Sequence, residues 1–161
     1  MEGDSFQVEA SVASLSNLIK VMIEGTAVDG ESQEIPLPNM HSNVLAKVIE
    51  FCNHFPVEPM NEIPKPVPYG KKVKDYVQPW YARFMESLDT TMLFELILAA
   101  NYLDVKPLLQ ITCSTVGLLI MNKTPEEIKE VLGIEKEGLS SEVERQLRED
   151  NKWSTQPAAT S

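Results

Sequence analysis

The chain has 161 residues, 43% of them hydrophobic, enough for one domain with its own core and room for a small appendage. Its 24 acidic and 14 basic side chains leave a formal charge of −10 at neutral pH. A surface of that sign is repelled by phosphate backbones and anionic membranes, so no nucleic acid and no membrane is expected as a partner.

The opening MEGDSFQVEA is acidic and lacks the basic-then-apolar order of a secretory signal. No apolar run approaches the roughly 20 residues that span a bilayer. A soluble protein, cytoplasmic and nuclear, is expected. Residues 5–9 (SFQVE) alternate apolar and polar, the pattern of a short half-buried strand. Val12, Leu15, Leu18, Ile19 and Met22 then recur at three- and four-residue spacing and predict a helix over 11–24, punctuated at its end by Gly25 and Gly30. SQEIPLP reads as a short extended piece. Asn39 is a suitable N-cap ahead of the helix SNVLAKVIEFCNHF, whose buried face is Val44, Leu45, Val48, Ile49 and Cys52.

Residues 55–74 change character, with five prolines, one glycine and no helical period. They predict a flexible loop. Lys65, Lys71, Lys72 and Lys74 outnumber Glu58 and Glu62 there, either as a solvated loop or as a docking patch on an otherwise acidic protein. From Tyr76 the chain reads as helical. YVQPWYARFMESL is aromatic-rich. Asp89 caps TTMLFELILAANYLD, which is apolar nearly all round and predicts a central buried helix. Pro107 can open PLLQITCSTVGLLIMNK. Thr124, Pro125 and Glu127 make a capping box with proline in the first turn, and that helix should end near Gly133. Ser141 and Glu144 form a second box for a last helix ending near Trp153, and 154–161 reads as a disordered tail. The order of elements predicts an α+β amino half and an all-helical carboxyl half.

The last helices are short and poor in apolar residues. From Asn122 to Ser161 there are nine acidic and six basic side chains, too charged for a separate core. Such helices must lean on the preceding one, whose Leu109, Cys113, Val116, Leu119 and Ile120 are apolar around more than one side. Trp153 at the end of this segment has two readings, as a staple for the last helix or as an anchor for a partner.

Catalytic and metal chemistry find no support. Cys52 and Cys113 lack a CxxC pairing and read as reduced thiols, with Cys113 an inert, buried thiol in an apolar helix. Cys52 and His54 lie two apart, on different helix faces, and no further Cys or His pair completes a zinc set. Neither GxGxxG nor GxxxxGK[ST] occurs. No enzyme, no cofactor and no metal is expected.

The stretch LFELILAANYLDVKPLLQITCSTVGLLIMNKTPEEIKEVLGI, residues 93–134, closely resembles the S-phase-kinase-associated (Skp) adaptor family of Skp–cullin–F-box ubiquitin ligases. LFELILAANYLD and KTPEEI carry most of the likeness. IPLPNMHSNVLAKVIEFCNH at 35–54 resembles the family's strand-then-helix element, and REDNKW at 148–153 its closing helix. The resemblance implies a BTB/POZ-type domain over 1–104 with 55–74 as its loop, and a helical F-box-binding extension over 105–153. It implies that Asn101 and Tyr102, with Asn39 and Met40, contact a cullin. It implies that Leu109, Cys113, Val116, Leu132, Ile134, Leu139 and Trp153 receive the F-box, which favours the anchor reading of Trp153.

The chain also departs from the family pattern. The family's usual strand before the opening residues is expected to be absent, which would leave 5–9 as an unprotected sheet edge or as a disordered segment. The loop is proline-rich and locally basic instead of acidic, and Leu132 and Leu139 stand where aromatics are usual. Leucine burial still supplies roughly 1.5–3 kcal/mol per side chain, so the pocket keeps its affinity with a changed shape. The expected function is a non-catalytic adaptor between an F-box protein and a cullin. The alternative is a structural BTB-type subunit of a non-ligase complex, kinetochore or recycling, that binds an F-box partner without cullin. A weak homodimer of the free chain through its apolar surface stays open.

Overall fold

The computed structural model describes residues 5–26, 34–38, 40–64, 71–121, 123–133, 145–146 and 149–150. Seven α-helices lie among the described residues. They are α1 (Ala10–Ala13), α2 (Asn17–Thr26), α3 (Ser42–His54), α4 (Pro79–Glu86), α5 (Thr90–Tyr102), α6 (Lys106–Ile120) and α7 (Pro125–Val131). A single 3-10 turn, Val73–Asp75, precedes α4.

Helix α5 lies at the centre, packed on α3 along one flank and on α6 along another. Leu93, Leu96, Ala99 and Ala100 are its buried residues, and the two alanines let neighbouring backbones approach closely. From α3 come Val44, Val48, Phe51 and Cys52, and from α6 come Leu108, Ile111 and Thr112. The Thr112 hydroxyl has no partner across the core, so it donates back to the Leu108 carbonyl at 2.8 Å.

Aromatic side chains join α3 to α4. The His54 ring stacks on Trp80 with centroids 3.8 Å apart, and Trp80 stacks in turn on Phe84 at 5.2 Å. Lys47 Nζ lies over the far side of this column, 5.5 Å from the Phe84 centroid. Phe51 and Tyr81 fill the space beneath, tilted against each other at 5.6 Å.

Several sequence expectations are met locally. Asp89 caps α5, its carboxylate accepting from the Met92 N–H at 2.7 Å. Thr124 and Glu127 form the reciprocal capping box of α7, and Gly133 ends that helix at φ +63°. Other expectations are corrected. Residues 5–9 run without strand pairing, and 34–37 likewise, so no strand occurs among the described residues. An alternating run becomes a strand only when another strand hydrogen-bonds to it, and none of the described residues does so. The helix expected over 11–24 is broken in two by Ser14–Ser16, because Ser16 turns inward to cap α2. The N-cap of α3 is His41, with no side-chain cap bond, while Asn39 lies outside the described residues. Helix α4 starts only at Pro79, the residue that suits a first turn. The Ser141–Glu144 box, the helix end at Trp153 and the tail 154–161 also lie outside the described residues.

The proline-rich loop, expected to be flexible, is tied down along its first half. Gln78 donates to the Pro59 carbonyl at 2.6 Å and accepts from the Asn61 N–H at 3.1 Å. Tyr81 donates to the Glu58 carbonyl at 2.5 Å, and burial followed by the Glu58 charge pushes its phenol up to about 12. Gln110 on α6 donates to the Ile63 carbonyl at 3.2 Å, beside an Ile63 side chain that is buried. Prolines cannot supply a helix, so side chains of α4 and α6 satisfy this backbone instead.

Leu96 is fully buried between the packed helices. Leu96→Ala should therefore lower the unfolding free energy by about 2–5 kcal/mol, read from the midpoint of urea denaturation. A loss well under 1 kcal/mol would contradict the central position of α5.

Candidate protein-docking faces

The residue pattern of α5 divides its surface. Leu96, Ala99, Ala100 and Leu103 face the core, whereas Leu98, Asn101 and Tyr102 are exposed. Leu98 is 70% exposed and Tyr102 49%, large apolar surface for two side chains one helical turn apart. Asn101 sits between them, so apolar and amide groups are offered together. Sequence reading singled out Asn101 and Tyr102 but passed over Leu98. The available signal was its place four residues before Tyr102, hidden because the helix is apolar nearly all round.

The helix end that carries this face is closed by its own backbone. Val105 N–H donates to the Ala100 carbonyl at 2.9 Å and Asp104 N–H to the Asn101 carbonyl at 3.2 Å, the bond pair of a Schellman cap. Such a cap needs a left-handed residue, and here it is Asp104 at φ 51°. Glycine is the usual occupant, and a side chain at this angle costs roughly 1–2 kcal/mol. Asp104 uses its side chain, because its carboxylate accepts from Asn17 Nδ2 at 2.7 Å. The first amides of α2 point the same way. Asn17 and Leu18 N–H donate to the Asp104 and Leu103 carbonyls, each at 3.4 Å. The buried Ser16 hydroxyl donates to the Leu103 carbonyl at 2.5 Å while accepting from the Ile19 N–H at 3.1 Å. The positive end of α2 thus meets the negative end of α5.

Met40 follows a turn in which its N–H donates to the Leu37 carbonyl at 3.3 Å, and its half-buried side chain packs on the core cluster. It is less open than Asn101 and Tyr102, which share one turn of one helix. Asn39, expected beside it, lies outside the described residues.

Immediately after Asp104, α6 presents two stripes at helical spacing. Leu108, Ile111 and Thr112 form the core stripe, and Leu109, Cys113 and Val116 lie rotated from it. Leu109 and Val116 are half-buried against the core cluster, and Cys113 is exposed. A Cβ added at Gly117 would meet nothing within 4 Å, so the helix has open space there as well. Helix α7 packs on α6, and Leu132 at its end is half-buried. Leu109, Cys113, Val116 and Leu132 therefore belong to one α6–α7 unit. Ile134, Leu139 and Trp153 lie outside the described residues.

The thiols are sharply unlike. Burial pushes Cys52 up to about 11, which leaves no useful thiolate at neutral pH. Cys113, expected to be buried and inert, is corrected: the side of α6 that carries it is turned from the core stripe, so the thiol is exposed and open to reagents. His54 is held by Trp80 and by Glu58 at 3.3 Å, with no nucleophile set against it. Among the described residues no three His, Cys, Asp or Glu side chains gather as a metal set.

A thiol-labelling reagent should modify one cysteine of the folded chain quickly, Cys113, and reach Cys52 only on unfolding. Fast modification of both would show the α3–α5 core to be open. On α7, hydrogen bonds from the Thr124 backbone and then its side chain hold Glu127 below its ordinary value. The charged form is favoured on folding, so this contribution is present above the unfolded value and lost as pH falls through the lower folded one. The Thr124 amide signal in NMR should accordingly titrate below the usual glutamate range, and Glu127→Ala should abolish that transition.

Comparison with known proteins accords with this arrangement. Residues 1–57 match the family described as Skp1 family, tetramerisation domain, and residues 106–154 match Skp1 family, dimerisation domain. The chain is 44% identical to the SCF ubiquitin ligase complex protein SKP1a of Dictyostelium discoideum, over 92% of this chain and 88% of that one. It is 43% identical to the SKP1-like protein 1A of Arabidopsis thaliana, over 94% of this chain and 91% of that one. It is 40% identical to the S-phase kinase-associated protein 1 homolog of Tetrahymena thermophila, over 95% and 89% respectively. With identity of this order along nearly its whole length, the chain belongs to the Skp1 family.

Proposed function

We propose that this protein is the non-catalytic adaptor of a modular E3 ubiquitin ligase, joining an F-box substrate receptor to a cullin scaffold. The observation that carries the reading is two apolar surfaces on consecutive helices. Leu98, Asn101 and Tyr102 are exposed at the end of α5, and after one closed turn α6 carries half-buried Leu109 and Val116 beside exposed Cys113. A connector needs two faces held at a fixed angle, and it needs no reactive group. The Dictyostelium relative is an SCF ubiquitin ligase complex protein, which supports the same role here.

In this reading Asn101 and Tyr102, with Leu98, Asn39 and Met40, meet the cullin. Leu109, Cys113, Val116, Leu132, Ile134, Leu139 and Trp153 receive the F-box. Residues 1–104 form a BTB/POZ-type α+β domain with 55–74 as its loop, and 105–153 form the F-box clasp ahead of the tail 154–161. The match of 1–57 to the tetramerisation family and of 106–154 to the dimerisation family supports that division. The protein works in the cytoplasm and nucleus. When free, it covers the α6 face by weak homodimerisation.

Asn101→Lys combined with Tyr102→Lys should abolish cullin binding and leave F-box affinity unchanged, and Trp153→Ala should do the reverse. Both are measured by calorimetry with the separate partners. Loss of both partners in the double lysine variant would refute two separable faces. Affinity purification from the native cells should recover a cullin with several F-box proteins. A single F-box-like partner without cullin would instead assign the chain to a structural complex outside the ligases.

A further inference from the structure

The closed turn between the two faces carries one residue that local geometry alone does not call for. Residue 104 adopts a left-handed backbone, where glycine is strain-free, yet it is an aspartate whose carboxylate reaches across to Asn17 at 2.7 Å. The strain is tolerated at the point where four further contacts converge. These are the Asn17 and Leu18 amides on the Asp104 and Leu103 carbonyls, and the Ser16 hydroxyl bridging Leu103 to Ile19. Three of them end on the Leu103 and Asp104 carbonyls, on the backbone that directly follows the exposed Asn101–Tyr102 pair. Neither Asn17 nor Asp104 is part of the core cluster, so the link sets direction more than it supplies burial.

We propose that Asp104, held by Asn17 at the start of α2, is a positioning residue for the Asn101–Tyr102 face, fixing the angle at which the last turn of α5 is presented to its partner. The inference rests on the adaptor reading above and adds to it a long-range brace, 87 residues apart in the chain. The brace acts on the cullin side only. The α6 stripe Leu109, Cys113 and Val116 begins a full turn beyond it and is oriented by Leu108 and Ile111 in the core.

Asp104→Gly is the informative variant, because it keeps the left-handed turn and removes only the bond to Asn17. Its cullin affinity should fall on the order of tenfold because the face is no longer held at its angle, with F-box affinity and circular dichroism unchanged. Asp104→Asn, which tolerates the same backbone and can still accept from Asn17, should restore binding. Asn17→Ala should weaken cullin binding to the same degree, and the Asn17→Ala/Asp104→Gly pair should be no worse than either alone. Wild-type cullin affinity in Asp104→Gly would overturn the proposal. So would additive losses in the double variant, since Asp104 would then touch the cullin directly, and so would a parallel loss of F-box affinity. If Asn101→Lys with Tyr102→Lys left cullin binding intact, the adaptor reading itself would fail, and that result is separate from any behaviour of Asp104.

Discussion

The burial of α5 is the constraint on which the rest of the structure depends. A thirteen-residue helix as apolar as Thr90–Tyr102 cannot stand in water alone, and α3 and α6 cover two of its flanks. Alanines at 99 and 100 permit close packing near its end, and Leu96 fills the middle with no exposure. Two helices cannot cover a cylinder completely. The uncovered strip carries Leu98, Asn101 and Tyr102, so their exposure is a direct consequence of how the core closes.

Order at the end of α5 comes from hydrogen bonds more than from area. The cap satisfies the last carbonyls within the chain, and the start of α2 brings its amides to the carbonyls that the turn exposes. Each helix end leaves polar groups unpaired, and pairing a donor end with an acceptor end removes two such deficits together. Ser16 serves both ends with one hydroxyl. The α1–α2 segment, otherwise loosely held by half-buried Val12, Leu15, Leu18 and Ile19, is thereby fastened to the turn that separates the two faces.

The proline-rich stretch shows the same economy of polar pairing. Its prolines prevent a helix, but Gln78, Tyr81 and Gln110 reach its carbonyls and bring Ile63 into the core. Lys71, Lys72 and Lys74 stay exposed beyond it. The column His54–Trp80–Phe84–Lys47 holds α4 to α3 on that side. Apolar cover is concentrated where α3, α5 and α6 meet, while Val21 and Val57 stay exposed elsewhere.

Much of this was legible in the residues. The caps at Asp89 and Thr124, the stop at Gly133 and the apolar centre at 93–104 follow from short-range stereochemistry, which acts within a turn or two of chain. On α3 the pattern found Val44, Val48 and Cys52, but Leu45 and Ile49 are only half-buried and the fully buried Phe51 was missed. The likeness of 93–134 to the Skp adaptors identified the family for the same reason, since a run of side chains is itself the signal. Other features depended on partners far away in sequence. Residues 5–9 alternate as a strand does, but pairing is a property of two segments, and alternation in one does not supply the other. Ser16 broke the first helix because of a carbonyl at Leu103, and Asp104 took a strained angle within reach of Asn17. Leu98 was indistinguishable from its apolar neighbours until packing decided which flank α3 and α6 would leave open. Residue order alone placed the caps of α5 and α7 and the stop at Gly133, because those contacts close within a turn; packing settled where α2 begins and which apolar residues stay uncovered, because exposure is what remains after every other surface has found its neighbour.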